Sequence, residues 1–595
     1  MKRLLSTSKF VVFQALNEKL LRCQSPAELE NLILTTPLAM FNDVNCSTAI
    51  TMLGRRKSTN TNAIDTCLFI AKSKRFLPRH LSNICFGIAN GKLCPQLPGF
   101  LVKQIPANLS SFNTQDLANT LWSLARLQYA GNEDAELVER FARHLIDKPN
   151  ILIGKHTDLS LLLWSFVTLG YCNDVLFRTF AKQITASSQG VGGGVWRAHN
   201  MANCLWAFAT AGHPALDVCE LFAREISRTG ASEFNPQDLA NTIWAFSTLR
   251  FKYEPSLVAL ADKVCKRELG AAPPQHARNS IALTPHSSPS FVSELMQKLK
   301  PPSSVFASSA KYKLPILLER LEGKPPPPQQ QPIGRLQSSN DNCFTPQNLT
   351  STLISFANLG FYHVPVIESI ASEVCARTLQ EFQSQNLFNL LWAFACLNSL
   401  ELPRVKDFFN LLPAPEFEIE YQLEQAQQLF QVHLAWKQQS HRGTRPSALL
   451  DAVSDHDWYL ALVRQQQKPS SSQAHLNIAQ LLTEQFSKPG ELVNETSVCD
   501  GGISVDILLP KHQCVIEIDG PTHFLHTVDD NNSSENEERG EEEEERTGRT
   551  LFKHRLLRGE GYSVCSISVR KFEATPRKRI AIAVLAKGIL LRNAA

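Results

Sequence analysis

The sequence predicts a mostly α-helical protein, in which an α-solenoid of two-helix repeats is followed by a small α/β domain. Three observations support this fold class. One phrase recurs along the chain, an amphipathic helix follows each copy, and short apolar runs replace the helical pattern near the C-terminus. At 595 residues the chain is too long for a single hydrophobic core, so it must hold several cores or stacked repeats.

The repeated phrase is clearest in two copies, FNTQDLANTLW ending at Trp122 and FNPQDLANTIW ending at Trp244. Weaker copies place an apolar residue at the same anchor position: Ile50, Phe86, Trp164, Trp206, Ile354 and Trp392. Successive anchors are 36 to 42 residues apart, except for a step of 110 residues between Trp244 and Ile354. A fixed period of this length indicates a repeat protein.

Each phrase specifies the start of a helix. In the copy at 234, Phe234 and Leu239 are placed to form a hydrophobic staple, Asn235 caps the helix, Pro236 takes its first position and Asp238 lies near the positive end of the helix dipole. Second amphipathic helices are predicted at Ala135–Ile146, Val175–Ile184, Leu216–Ile226, Leu257–Leu269 and Val366–Leu379. A pair of helices cannot bury its apolar stripe alone, so neighbouring repeats must stack.

Side chains within the phrase divide into two groups. The anchor tryptophans are predicted to pack between repeats rather than to stack on bases. Amide side chains recur at helix starts where the core does not need them, and amides both donate and accept hydrogen bonds, as reading single-stranded RNA bases requires. These candidates are Gln115, Asn119, Asn200, Asn203, Gln237, Asn241, Gln347, Gln385 and Asn389. The alternative, that they are solvated residues at helix ends, stays open.

The phrase resembles the octotricopeptide repeat, a two-helix unit of organellar RNA-binding proteins, over about residues 40–410. The resemblance implies a repeat array that binds single-stranded organellar RNA.

Composition shifts divide the chain. We predict a targeting segment and first helix at 1–30, repeats at 31–270 and 342–440, a linker region at 441–474 and a C-terminal domain at 475–595. A proline-rich insertion at 271–341 is predicted to be mostly disordered, with one degenerate helix pair near Phe291–Leu321. A trailing helix is predicted near Tyr421–Lys437. The acidic insertion at 529–546 is predicted to be solvated.

The C-terminal domain reads as a small sheet with helices. Strands are predicted at Ile503–Leu509, Cys514–Ile518 and Tyr562–Val569, and helices at Leu476–Phe486 and Thr550–Arg558.

Acidic residues gather at the ends of these strands. Glu517 and Asp519 point to one face of their strand, and Asp506 is placed to lie opposite on the neighbouring strand. Three such carboxylates could hold Mg²⁺, and His523 could polarise a water or a leaving group. The alternative is structural: the carboxylates cap loops or pair with the helix cations Arg549, Lys553 and Arg555, which could instead hold RNA phosphate.

The same residues resemble a RAP domain, over about 500–575, in the motifs VDILLP, EIDGPTHF and TGRTLFKHRLLR. The resemblance implies a restriction-endonuclease-like fold of the PD-(D/E)XK type and a role in organellar RNA processing. The Fas-activated serine/threonine kinase family has a related organisation. By the resemblance Asp506 and Glu517 match nuclease carboxylates, but Asp519 stands where that pattern has lysine, so binding is favoured over Mg²⁺-dependent RNA cleavage, unless His523 or Lys553 replaces the lysine.

Charge and composition fit this expectation. The net charge is +4, and Asp529–Glu545 contributes −9, so the rest of the chain carries +13, a surplus that attracts phosphate. No apolar run suits a membrane span, and the cysteines have no zinc-site spacing. The segment Met1–Phe13 is basic and acid-free. It predicts either an organelle-targeting segment, for the mitochondrial matrix or else the chloroplast, or an ordinary exposed terminus.

Together these features predict an organellar RNA-binding factor that acts in RNA processing, stability or translation, on mRNA or rRNA, with other RNA-processing proteins as further partners. A Mg²⁺-dependent RNA endonuclease and a protein-interaction scaffold are the alternatives.

Overall fold

A computed structural model describes residues 2–128, 132–153, 155–189, 195–268, 343–412, 423–439, 473–486, 491–528 and 544–592. The predicted insertion at 271–341, with its helix pair near Phe291–Leu321, lies outside these residues, as do most of the linker region at 441–474 and most of the acidic insertion.

Helices dominate the chain up to residue 485. They are α1 Lys2–Arg22, α2 Pro26–Thr35, α3 Asp43–Arg55, α4 Thr61–Lys72, α5 Pro78–Gly91, α6 Gly99–Val102, α7 Ile105–Asn108, α8 Thr114–Arg126, α9 Asn132–Asp147, α10 His156–Thr168, α11 Asp174–Gln189, α12 Ala198–Ala211, α13 Leu216–Thr229, α14 Pro236–Leu249, α15 Glu254–Glu268, α16 Pro346–Asn358, α17 Val364–Cys375, α18 Ser384–Cys396, α19 Pro403–Leu411, α20 Leu423–Gln439 and α21 Gln473–Gln485. The strand β1 Phe251–Lys252 lies between α14 and α15.

The C-terminal part alternates strands and helices. Its elements are β2 Val493–Val498, β3 Ile503–Leu509, β4 Cys514–Asp519, β5 His526–Thr527, α22 Gly548–Gly559, β6 Ser563–Ser568, α23 Val569–Ala574 and α24 Lys578–Arg592. The predicted fold class, helical repeats followed by a small α/β domain, is confirmed. None of the described helices has the length and apolar character needed to cross a membrane.

The chain forms two compact units, of which the first comprises residues 1–222 and 233–245 of the described chain. Within it the first helix of each repeat packs on the first helix of the next, in the order α3, α5, α8, α10 and α12. Second helices also pack on one another, as α2 does on α4 and α9 on α11. In the second unit α16, α18 and α20 form the first-helix layer, and α15, α17 and α19 form the other. The predicted two-helix stacking is therefore present in both units.

The anchor residues fill the space between first helices. Phe86 is half-buried and its ring centroid lies 5.0 Å from that of Trp122. The other anchors are buried: Ile50, Trp122, Trp164, Trp206, Trp244, Ile354 and Trp392. Their burial agrees with the prediction that the anchors pack between repeats.

Polar side chains at the helix starts also link the repeats. The side chain of Asn113 accepts a hydrogen bond from the Asp116 amide at 2.9 Å, and the Asn113 amide donates back to the Asp116 carboxylate at 3.4 Å. Asp116 also accepts a hydrogen bond of 2.7 Å from the Ser82 hydroxyl of the preceding repeat. Asn235 and Asp238 form the same reciprocal cap at 2.8 and 3.3 Å, so the cap predicted there is confirmed.

The C-terminal sheet has the strand order β2-β3-β4-β6, antiparallel except for the parallel pair of β4 and β6. Its core packs α21 and α24 against the strands through Ile478, Leu482, Ile516, Ile582 and Ile589. The three predicted strands and both predicted helices are present. The sequence reading missed β2, α23 and α24.

Helix α22 attaches this domain to the last described repeats of the second unit. It contacts α16, α18 and α20. The Phe552 ring lies edge-on to the anchor Trp392, with 5.7 Å between centroids. At Gly548 the backbones of α22 and α16 meet, since a Cβ there would lie 1.8 Å from the Ala357 carbonyl oxygen. Strand β5 pairs in parallel with β1 and adds a second attachment.

We therefore expect Gly548→Ala to destabilise the second unit by about 1–3 kcal/mol, because the added methyl meets backbone that cannot rotate away. Urea denaturation, monitored by circular dichroism, measures the change in the free energy of unfolding. Gly588→Ala is the matched control, since a Cβ at this helical glycine meets nothing within 4 Å. It should be neutral or stabilise by up to about 1 kcal/mol. Equal shifts in both variants would contradict the proposed contact.

Candidate nucleic-acid interface

The acidic residues of the small domain lie on its central strand. All six residues of β4 are buried, because β3 and β6 flank it and helices cover it. Glu517 and Asp519 are two residues apart, so both side chains lie on one face of the sheet. Asp506 precedes the register pair Ile507 and Ile516 of β3 and β4, and its carboxylate accepts a hydrogen bond of 2.7 Å from the Ile518 amide. The structure thus brings the three predicted carboxylates onto neighbouring strands.

Glu517 forms a buried ion pair. Its Oε2 accepts a hydrogen bond of 2.6 Å from Lys553 Nζ, and the glutamate is only 2% exposed. Its second oxygen, Oε1, is buried without a hydrogen-bond partner in the described part of the chain. Burial raises the pKa of Glu517 to about 7, although the charge of Lys553 acts to lower it. The nearby carboxylates of Asp506 and Asp519 add to the rise. The protonated form of this side chain is therefore accessible near neutral pH.

Asp519 is held from two sides. Arg546 Nε lies 3.2 Å from its Oδ2, and His523 Nδ1 lies 3.2 Å from its Oδ1. The same nitrogen of His523 lies 3.2 Å from the Thr550 hydroxyl, at the start of α22. Burial lowers the pKa of His523, against the opposing effect of the Asp519 charge. The short 3₁₀ turn Pro521–His523 after β4 places the imidazole over the carboxylate.

This arrangement does not fit a magnesium site. A divalent ion needs several oxygens that converge on one point. Here Asp506 accepts from a backbone amide, Glu517 pairs with Lys553, and Asp519 pairs with Arg546. Nowhere in the described ranges do three or more acidic, histidine or cysteine side chains form a group that could hold a metal ion.

The cations of α22 have different surroundings. Lys553 is committed to Glu517, and Arg555 Nη2 donates to the carbonyl oxygens of Ala395 at 2.5 Å and Cys396 at 3.2 Å, at the end of α18. Burial lowers the pKa of Arg555. Arg549 is exposed. Of the three cations predicted to hold phosphate, two are therefore used inside the protein, because α22 lies between the sheet and the repeats.

The site and its surroundings match a known domain. Residues 516–583 are a RAP domain. The matched segment runs from β4 into α24 and includes Glu517, Asp519, His523 and all of α22. The motif around Asp506 precedes it. No curated protein matches the chain at a significant level. The RAP domain is associated with RNA binding, which supports a general RNA-associated role for this chain.

The repeat amides predicted to read bases fall into two classes. Gln115 is exposed and Asn119 is half-buried. Gln237 and Gln385 are half-buried and each donates to an asparagine one turn later, at 2.9 and 3.0 Å. Gln347 is half-buried and donates to the Ser351 hydroxyl at 3.3 Å. These five side chains retain exposed surface on the first helices.

The other four amides are buried, contrary to the expectation that the core does not need them: Asn200, Asn203, Asn241 and Asn389. Asn200 donates to Thr157 and accepts from Ser160, both at 3.3 Å, so it joins two repeats. Asn389 accepts from Gln428 of the following helix at 3.3 Å. Helical spacing placed them correctly on the helix but could not show how closely the next repeat covers that face.

Two groups of charged residues were not predicted from the sequence as part of a site. Arg546, which pairs with Asp519, lay inside the range assigned to the acidic insertion. The cations of α23 and α24 were also missed, although the pairs Arg570-Lys571 and Lys578-Arg579 stand out as a basic run in the printed sequence.

The raised pKa of Glu517 predicts a pH-dependent stability. The folded pKa of about 7 exceeds the ordinary value of 4.5, so the contribution of Glu517 to stability is greatest at low pH and is lost as the pH rises through about 7. Glu517→Gln should therefore stabilise the RAP domain at pH 8 by an amount on the order of 3 kcal/mol and leave it nearly unchanged at pH 4. Denaturation midpoints at both values test this. The exposed Glu573→Gln should show no such difference, and a Glu517→Gln effect independent of pH would refute the assignment.

Arg555 is expected to act on stability and not on RNA. Arg555→Gln removes a charged donor from two helix-end carbonyls and should cost about 2 kcal/mol, while the RNA affinity of the folded protein stays unchanged. Arg549→Gln, on the exposed side of the same helix, should change stability by less than about 0.5 kcal/mol. Chemical denaturation and RNA titration of both variants make the comparison. A loss of RNA affinity in Arg555→Gln without a loss of stability would restore the predicted phosphate contact.

Proposed function

We propose that this chain is an organellar RNA-binding factor that acts in RNA processing, stability or translation. The observation that carries the proposal is the RAP domain at residues 516–583, packed through α22 onto helical repeats of the same unit. The RAP domain is associated with RNA binding, and stacked two-helix repeats present an extended surface. Both properties suit a long, single-stranded RNA.

In this proposal the repeats contact single-stranded RNA. The support comes from Gln115, Gln237, Gln347 and Gln385, each the second residue of its helix, and from Asn119 one turn after Gln115. All five keep exposed surface. An amide presents one acceptor and two donor hydrogens, which suits the edges of unpaired bases. The buried asparagines take a supporting role, since they hold neighbouring helices and the exposed glutamines in place.

The proposed compartment is the mitochondrial matrix, with the chloroplast as the alternative. The basic, acid-free segment Met1–Phe13 supports an organelle-targeting signal. The proposed targets are mRNA or rRNA, and the proposed further partners are other RNA-processing proteins.

The two alternative functions have less support. An endonuclease would need Asp506, Glu517 and Asp519 to converge on a metal, whereas each is engaged by a protein donor. A protein scaffold would present an apolar repeat surface, whereas the anchor side chains are buried and polar amides lie at the helix starts.

Fluorescence anisotropy with a labelled single-stranded RNA, over a range of salt concentrations, tests the proposal. Affinity should fall as salt rises, with a log–log slope of about 0.7 per phosphate contacted. Absent or salt-independent binding would contradict an RNA-binding function. Incubation with Mg²⁺ provides the second arm: RNA cleavage that is lost in Glu517→Ala, with binding retained, would favour the endonuclease.

Crosslinking the protein to RNA in cells and sequencing the bound RNA tests the finer part. Enrichment of organellar transcripts is expected. Enrichment of nuclear-encoded cytosolic transcripts would overturn the organellar assignment while leaving RNA binding intact.

A further inference from the structure

The last two helices of the RAP domain carry a concentration of positive charge. Residues 570–587 contain six cations and a single acid, Glu573. All six cations are exposed: Arg570, Lys571, Arg577, Lys578, Arg579 and Lys587. We call these residues the C-terminal basic surface.

Little of this charge is neutralised by the protein. Arg570 lies 3.9 Å from Glu544, and Arg579 lies 3.6 Å from Glu484, but these arginine side chains are 84% and 78% exposed. Exposed ion pairs of this kind contribute little and are screened by salt. Lys578 lies over the Phe572 ring, 5.3 Å from its centroid. Within the described ranges no ion pair is found for Lys571, Arg577, Lys578 or Lys587. The surface therefore presents a net positive field to solvent.

Stability of the fold does not explain these cations. Helix α24 is held by Ile582, Ala586 and Ile589, which face the core of the domain. Its first turn contains no acidic residue and begins with Lys578 and Arg579. Cations at the start of a helix are disfavoured by the positive end of the helix dipole. Lys578 and Arg579 thus lie outside the packed face of α24, at the end of the helix where its dipole disfavours positive charge.

The basic surface continues from the site described above. Helix α23 starts directly after Ser568, whose register partner on β4 is Asp519. The RAP match extends to residue 583 and so includes five of the six cations. Meanwhile Lys553 and Arg555 of α22 are bound within the protein. The exposed positive charge is therefore greater at α23 and α24, with six cations, than on α22, where Arg549 and Arg558 are exposed.

We propose that the C-terminal basic surface binds the phosphate backbone of single-stranded RNA. The inference rests on the proposed function and assigns the RNA contact of the RAP domain to these residues. Spaced cations on a convex helical surface suit a flexible chain of phosphates, which requires charge rather than base-edge geometry. An anionic membrane fits less well, because Ile582, Ala586 and Ile589 of α24 face the core, and among residues 578–589 the large apolar side chains left exposed are Ile580 and Val584.

The test is the triple variant Arg577→Gln, Lys578→Gln, Arg579→Gln in the full chain. Binding of a single-stranded oligouridylate should weaken by about tenfold or more at low salt, and the salt slope should fall by about 2, which is three contacts at 0.7 each. The charge-conserving variant Arg577→Lys, Lys578→Arg, Arg579→Lys should retain affinity. Circular dichroism melting establishes that all variants are folded, and removal of cations from the start of a helix should not lower stability.

A matched control removes the same charge elsewhere. Its three arginines are exposed and already paired with a carboxylate of their own helix: Arg178, Arg228 and Arg404. Their replacement by glutamine should leave the salt slope within about 0.5 of the wild-type value, since these arginines lie on repeat helices outside the C-terminal basic surface.

The outcomes separate this inference from the function on which it rests. Wild-type RNA binding with an unchanged slope in the basic-surface variant would overturn the inference and leave RNA binding to the repeats. An equal loss in the control variant would overturn it as well, because net charge alone would then explain binding. Flotation with phosphatidylserine vesicles that depends on these cations, while RNA binding does not, would reassign the surface to a membrane. A wild-type chain that binds no RNA would refute the proposed function itself.

Discussion

The architecture depends on the need of each helix pair to bury an apolar stripe that it cannot cover alone. The anchor position is where this need is met. Within the first unit Phe86 and Trp122 pack ring against ring between successive first helices. In the second unit the anchor Trp392 contacts both the next helix of its layer and the RAP domain. Its indole nitrogen donates to Gln431 of α20 at 2.9 Å, and its ring packs against Phe552 of α22. The RAP domain therefore covers an apolar surface that the array would otherwise expose.

The same constraint explains the polar residues of the repeated phrase. Once first helices lie side by side, their initial N–H groups are partly shielded from water and need acceptors within the protein. The Asn113 side chain accepts from the Asp116 amide, and the Asp116 carboxylate accepts from the Asn113 amide and from Ser82 of the preceding repeat. The Asp238 carboxylate likewise accepts from the amide of the cap residue Asn235, and it lies 3.1 Å from His199 of α12. The aspartate of the phrase thus contributes both to the cap of its own helix and to the contact with the preceding repeat. These two roles explain why the two clearest copies of the phrase share this residue.

Covering the array gives α22 a structural task that competes with ligand binding. Gly548 lets the helix backbone approach α16, Arg555 donates to carbonyl oxygens at the end of α18, and Lys553 pairs with Glu517 of the sheet. A helix with three such commitments keeps two of its four Lys and Arg side chains exposed, Arg549 and Arg558. The division of labour between α22 and the following helices is a consequence, since α23 and α24 contact the sheet on one side only and their other side is open to solvent.

The sequence predicted what depends on periodicity. Helix pairs, buried anchors, the cap at Asn235 and three of the four sheet strands follow from local patterns. Strand β2 was missed because Asn494, Glu495 and Thr496 carry no apolar alternation and its exposed edge does not need one. The burial of Asn200 and Asn389 was missed for a different reason. Which polar side chains on a helix face are covered depends on how far the neighbouring repeat extends, and that distance is set by tertiary packing. For the same reason the sequence could place Lys553 and Arg555 on one helix but could not show that both face inward. Positive charge on a helix can be assigned to phosphate binding only when the packing partners of that helix are known. Here Lys553 and Arg555 of α22 are bound within the protein, whereas the cations of the C-terminal basic surface are exposed.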